Sequence, residues 1–233
     1  MSVLPEKYEG SLASVNVIPV TYQDRSGGPY PGGPMRKTPS QARGRERVDR
    51  ILVAAAEEFA VNGFDVATVS AIATRAGASI GSVYQFFGDK ESILDALLQR
   101  YRADLSEMGA DVAAAAAARQ AAGTGEGPGL EESLGPVVDR LVFYCRRNPA
   151  FPTLLARASR HTLAGESVHR TLRDVVARIL AVKQPDPQVV ARMAAVLTDI
   201  VAGLLPSATA DDELVLHLKA AMVGYLGQIT AGD

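Results

Sequence analysis

Between Arg45 and Val61, Val48, Ile51, Leu52, Ala55 and Phe59 recur at intervals of three and four, the spacing of one helical face. Asn62 and Gly63 then supply a helix stop. Thr68 is placed to cap a short second helix, VSAIATRA, and Gly77 suits the left-handed turn that would end it. Ser79 heads a third short helix, which Gly88 is expected to close. Asp89 caps a long fourth helix carrying Ile93, Leu94, Leu97, Leu98, Tyr101, Leu105 and Met108 on one face. That helix is expected to continue through DVAAAAAARQAA, since alanine is the best helix former, with Gly109 a place to bend. GTGEGPG (123–129) reads as a loop. Further helices are predicted at about 130–148, 151–162, 166–183, 187–205 and 211–230, separated by NPAFP, AGE, QPDP and PSATADD. No segment alternates with the period of a strand. The predicted fold class is all-α, with about nine helices.

Residues 1–40 are rich in Gly, Pro and Ser, lack a repeating apolar face, and read as a disordered arm. The N-terminus has no basic segment followed by an apolar run, and no apolar run approaches the roughly 18–20 residues that span a bilayer. A single cysteine, Cys145, excludes an intramolecular disulfide and fits a reducing compartment. The expected setting is the cytoplasm, with no membrane partner. The net charge of −2 conceals an asymmetry. Residues 35–50 hold six basic and two acidic residues (+4), whereas residues 103–233 hold twelve basic and fifteen acidic (−3). A basic run can simply be solvated surface. Its position just ahead of an unusual aromatic stretch points instead to phosphate, with Arg45 a candidate contact.

That stretch is AGASIGSVYQFFGDK, residues 76–90. Small residues at the joint of two short helices permit the steep crossing of a helix-turn-helix, although an ordinary helical corner has the same geometry. Val83 and Phe87 lie four apart and can enter the core with Ile72 and Phe59. Ile80, Gly81, Gln85 and Phe86 remain on other faces. Gly81 lets the backbone come close to a groove, and Gln85 can pair with an adenine edge through two hydrogen bonds. Ser82 and Tyr84 offer hydroxyls to phosphates, and Lys90 opens helix four, where free N–H groups favour an anion.

The run TVSAIATRAGASIGSVYQFFGDKESILDAL closely resembles the DNA-binding segment of the tetracycline-repressor (TetR/AcrR) family of bacterial transcription regulators. The likeness rests on Thr68, Ile72, Ala73, Ala76, Gly77, Ser79, Gly81, Tyr84, Phe87, Lys90 and Leu94, with Gly63 and Phe64 upstream. It covers about residues 45–105. The resemblance implies a three-helix DNA-binding domain over 45–105, with the helix-turn-helix at 68–87, and an effector-binding and dimerisation domain over 106–233. Thr68 and Ser70 would meet phosphate. Ser79, Ile80, Gly81 and Gln85 would face the major groove, and Ser82, Tyr84 and Lys90 would clamp the backbone. Phe86 stands where tyrosine or histidine is often found.

The family also implies a homodimer on double-stranded operator DNA. The last helix carries Leu214, Leu218, Met222, Tyr225 and Ile229 at spacings of three and four, and Leu216, Val223 and Leu226 widen that stripe. The preceding helix adds Val190, Met193, Leu197 and Ile200. Helices apolar on nearly all sides must be covered on all sides, and a four-helix interface would do this. The middle helices should enclose a small-molecule effector, of apolar or aromatic character, with Tyr101, Met108, Phe143, Tyr144, Phe151, His161 and Met193 as candidate lining residues. His161 and His169 have no cysteine or carboxylate cluster beside them, so neither metal nor cofactor is expected. The implied function is a ligand-released repressor and not an enzyme. A helical enzyme or ligand carrier using the corner only as structure, and a regulator of this fold controlled by a protein partner, are the alternatives.

Overall fold

A computed structural model of the chain describes residues 42–121, 130–158, 163–181 and 186–230. The expected arm at 1–40, the loop at 123–129 and His161 lie outside the described residues. Among those described there are nine helices and no strand.

Helix α1 (Ala42–Val66) buries the predicted face, Val48, Ile51, Leu52, Ala55 and Phe59, together with Ala54, Glu58 and Phe64. It does not stop at Asn62–Gly63. Gly63 adopts φ 73°, ψ 160°, which kinks the helix, and one further turn follows. Thr68 caps α2 (Val69–Arg75) by accepting the Ala71 N–H at 3.1 Å. The joint after α2 is a Schellman turn. Gly77 sits at φ 60°, Ala78 N–H donates to Ala73 O at 3.0 Å, and Gly77 N–H donates to Thr74 O at 3.1 Å. Ser79 caps α3 (Ile80–Phe86) through the Ser82 N–H at 3.2 Å. Helix α3 ends on extended Phe87 rather than at Gly88. Asp89 and Ser92 exchange side-chain-to-backbone hydrogen bonds of 2.7 and 3.1 Å, a reciprocal cap that starts α4 (Lys90–Ala121).

Helix α4 runs through Gly109 without interruption, so the expected bend is absent. Its role there is close approach. A Cβ on Gly109 would lie 2.3 Å from Val175 Cγ2, on the helix that packs against it. The rest of the chain forms α5 (Leu130–Arg147), α6 (Ala150–Ala158), α7 (Leu163–Leu180), α8 (Pro187–Ala208) and α9 (Asp212–Thr230). Helix α4 packs on α7, α7 on α8, α8 on α9 and α9 on α5, while α6 touches α1, α7 and α8.

Helix α8 alone, among the described residues, is long and apolar enough by length and composition to cross a membrane, with mean hydropathy 1.7. No such segment was expected. Its Val190, Met193, Ala194, Leu197, Val201 and Leu205 are buried inside the chain, so one face of it packs in the core, and it carries Arg192 and Asp199.

Candidate nucleic-acid interface and effector site

Helix α3 divides cleanly into two faces. Val83, Phe86 and Phe87 are buried with Phe59 and Ile72, and they fix the helix against α1 and α2. Ile80 and Tyr84 are 46% and 42% exposed, and Ser79, Gly81 and Gln85 are exposed beside them. Among the described residues, nothing outside the helix's own neighbouring backbone lies within 4 Å of a Cβ built on Gly81, so their packing does not require a glycine there. What that position leaves open is the outer surface. Thr68 and Ser70 are exposed on α2, next to the same face. Arg47 reaches across from α1 and its Nη1 lies 3.4 Å from Ser82 Oγ, so a basic side chain and a hydroxyl stand together at the rim. Arg45 is half-buried in the first turn of α1.

Two sequence expectations fail here. Phe86 is only 7% exposed and belongs to the core, so it has no side-chain contact to offer DNA. The Lys90 ammonium is already committed. It donates to Phe64 O at 2.7 Å, Ala67 O at 2.9 Å and Asp65 O at 3.1 Å, and lies 4.6 Å from the centre of the Phe64 ring. These carbonyls end α1, where the helix leaves acceptors without intrahelical partners and carries partial negative charge. An ammonium has three N–H groups, and all three are used. Lys90 therefore holds the α1 terminus to α4 instead of gripping phosphate with its side chain. A lysine in the first turn of its own helix opposes that helix's dipole, and this is the sequence signal that it serves another helix.

The sequence reading also missed Glu58. It is a buried carboxylate that accepts from Asn62 Nδ2 at 2.7 Å and from Arg75 Nη2 and Nε at 3.0 and 3.2 Å. The forked guanidinium fastens α2 to α1 and sets the angle at which the helix pair is presented. A glutamate inside the apolar stripe of α1 was the available clue.

Of the expected effector residues, Tyr101, Tyr144 and Phe151 come together from α4, α5 and α6. Their rings meet edge to face, with centroids 5.0 Å apart for Tyr101–Phe151, 5.6 Å for Tyr144–Phe151 and 6.3 Å for Tyr101–Tyr144. Tyr144 Oη donates to Asp104 Oδ2 at 2.8 Å. Desolvation by burial raises the Asp104 carboxyl above the usual range, while the Tyr144 hydrogen bond and Arg100 pull it back. Burial also pushes up the phenols of Tyr101 and Tyr144 and the Cys145 thiol. Met108 is half-buried and Met193 buried, whereas Phe143 is exposed on α5 and does not join the cluster.

Helix α6 links this cluster to the reading head. Phe151 is in its first turn. Near its other end Arg157 pairs with Asp65 at 2.9 Å and lies 4.7 Å from the centre of the Phe64 ring.

The dimer stripe needs correction. Val190, Met193, Leu197, Leu218 and Met222 are buried within the chain itself, so they are not available to a second copy. Ile200, Leu214, Tyr225 and Ile229 are partly exposed. The opposite faces of the same two helices carry Val196, Leu204 and Leu216, the last 60% exposed, with Gly203, Ala220, Gly224 and Gly227 exposed among them.

A buried-backed short helix presented after a Schellman turn, with its outer face open, is the arrangement of a helix-turn-helix. Residues 51–97 match the model of the family described as "Bacterial regulatory proteins, tetR family". The chain is similar over 78% of its length to 98% of a TetR-family transcriptional regulator from Streptomyces coelicolor, at 27% identity and TM-score 0.56. A transcriptional regulator from Rhodococcus sp. Rha1 shares the fold at 21% identity and TM-score 0.61, covering 79% of this chain and 96% of that one. So does SmeT, the repressor of the Stenotrophomonas maltophilia multidrug efflux pump SmeDEF, at 23% identity and TM-score 0.52, covering 75% and 84%. Comparison with curated proteins gave no match. The chain thus carries, at residues 51–97, a segment that matches the tetR-family model, on a fold shared with TetR-family transcriptional regulators.

Proposed function

We propose that this protein is a cytoplasmic, ligand-responsive repressor that binds an inverted-repeat operator as a homodimer. The DNA-binding domain spans 45–105 and the effector and dimerisation domain 106–233. The observation that carries the reading is the outer face of α3, where Ile80, Gly81, Tyr84 and Gln85 stand open on a helix anchored by Val83, Phe86 and Phe87. Gln85 reads a base edge. Thr68, Ser70, Ser79, Ser82 and Tyr84, with Arg45 and Arg47 at the rim, position the backbone. Two copies join through the exposed apolar faces of α8 and α9, which sets the two reading helices on successive major-groove turns.

Release requires a ligand that binds the DNA-incompetent arrangement more tightly than the competent one. Ligand seated against Tyr101, Tyr144 and Phe151 would act on α4 and on α6, and α6 reaches the α1 terminus through Arg157. The Streptomyces likeness and the tetR-family segment support regulation rather than catalysis or ligand carriage.

The test is selection of bound duplexes from a random pool, followed by a panel of single-base variants. Gln85→Ala should cost about 1–3 kcal/mol at one base pair per half-site and relax preference there. Equal loss on every variant would remove Gln85 from base reading. Selected sites without two-fold symmetry would overturn the dimeric reading head.

A further inference from the structure

One aliphatic side chain stands on the outer face of α3, which is otherwise polar. Ile80 and Tyr84, one turn apart, are 46% and 42% exposed, and Ser79, Gly81 and Gln85 are exposed beside them. Tyr84 ends in a hydroxyl that water can satisfy, whereas Ile80 gains nothing from water. Helix formation does not call for isoleucine at this position either, since alanine is the better helix former. The rest of Ile80 is covered by its own chain, and a β-branched side chain has few χ1 choices, so its outward methyls are held near one place.

The neighbours narrow what can cover those methyls. Ser79, Ser82 and Gln85 lie along the same short helix, and Arg47 Nη1 is 3.4 Å from Ser82 Oγ. A purely apolar surface laid over α3 would strip water from these groups and give them no partners. The major groove offers the matching mixture: donors and acceptors along the base edges, and a single apolar group, the 5-methyl of thymine. The missing side chain at Gly81 leaves clearance beside Ile80 for such an edge.

Resting on the DNA-reading face proposed above, we infer that Ile80 is a specificity determinant that packs its exposed methyls against the 5-methyl of one thymine in each half-site. Gln85 lies five residues further along α3, about 7.5 Å at 1.5 Å per residue. The thymine therefore falls roughly two base-pair steps of about 3.4 Å from the base pair that Gln85 reads.

Duplexes are selected from a random pool with the full-length protein, and each thymine of the selected site is then replaced in turn, in both half-sites, by deoxyuridine. The replacement removes one methyl and leaves base pairing and the other groove atoms in place. At one thymine it should weaken wild-type binding about fourfold per half-site and about 15-fold in all, the worth of one buried methyl (about 0.8 kcal/mol) on each side. Ile80→Ala should bind the thymine and uracil duplexes within about twofold of each other, while Ile80→Val keeps most of the wild-type preference. An isoleucine that only braces α3 would, on replacement by alanine, weaken both duplexes alike and leave the thymine-over-uracil ratio unchanged, and that result overturns the proposal. So does a selected site in which every thymine can be replaced without loss. A selection that returns no preferred sequence removes the reading face itself, and this assignment with it.

Discussion

Replacing Lys90 by methionine keeps the length of the side chain and removes only its ammonium. Three hydrogen bonds to the carbonyls of Phe64, Asp65 and Ala67 disappear, along with the contact to the Phe64 ring. Hydrogen bonds to a charged group are worth about 1.5–3 kcal/mol each when fully withdrawn from water. Here the bond to Asp65 is exposed and the other two are part-buried, so the carbonyls recover some water when the lysine leaves. Including about 0.5–1 kcal/mol for the cation on the ring, the net loss should be about 2–3 kcal/mol. For a chain of this size that lowers the melting temperature by roughly 4–12 °C. Operator binding supplies the second readout, followed over a range of salt concentrations below the new transition. A side chain that neutralised a phosphate would take about 0.9 per protomer, about 1.8 for the proposed dimer, from the slope of log K against log salt when removed. The committed ammonium predicts an unchanged slope. A methionine variant with wild-type melting and a shallower salt slope would refute this account of Lys90 and return it to the phosphate backbone.

Leu216→Glu should leave a folded protomer and dissociate the dimer, because Leu216 lies on the open face of α9. Leu218→Glu, at 0% exposure two residues away, should unfold the chain by burying an unpaired charge, so sedimentation and circular dichroism on the pair separate interface from core. A Leu216→Glu protein that remains dimeric at micromolar concentration would move the interface elsewhere. Gly109→Ala gains about 1 kcal/mol of helix propensity yet should destabilise on balance by about 1–3 kcal/mol, since its methyl meets Val175. Adding Val175→Ala should recover part of the urea midpoint, and failure to do so would place the strain at another contact.

Where local chemistry decides structure, the sequence was legible. Thr68, Gly77, Ser79 and Asp89 each act within three or four residues, and each occupies the cap or turn its side chain or backbone freedom suits. Lys90 was misread because its acceptors lie 23 to 26 residues away, beyond any local signal. Glu58 was missed for the same reason, with Arg75 17 residues distant. Phe86 shows the limit of periodicity in a helix of seven residues, which has too few turns to distinguish its faces. The stripes on α8 and α9 failed differently. Both helices are apolar on nearly all sides, so the pattern could not say which side their own chain covers. Leu218 proved to be inside and Leu216 outside. Tyr101, Tyr144 and Phe151 were picked out as large aromatics, but only the fold shows that Phe143 stands apart from them.

The crossing of α4 and α7 at Gly109 makes α4 a lever with unequal arms. With no side chain to space them, Val175 sits against the α4 backbone. From Gly109 to the reading-head end of α4 at Lys90 is about 28 Å at 1.5 Å per residue, whereas Asp104 lies only about 7 Å from the pivot. A displacement of about 0.6 Å at Asp104, a rotation near 5°, becomes about 2.4 Å at Lys90. In the proposed dimer two such ends move in symmetry, and the spacing between reading helices then changes by several ångströms against a groove repeat of about 34 Å. In the proposed repressor, a small adjustment beside an effector would thereby become a misfit of register on DNA.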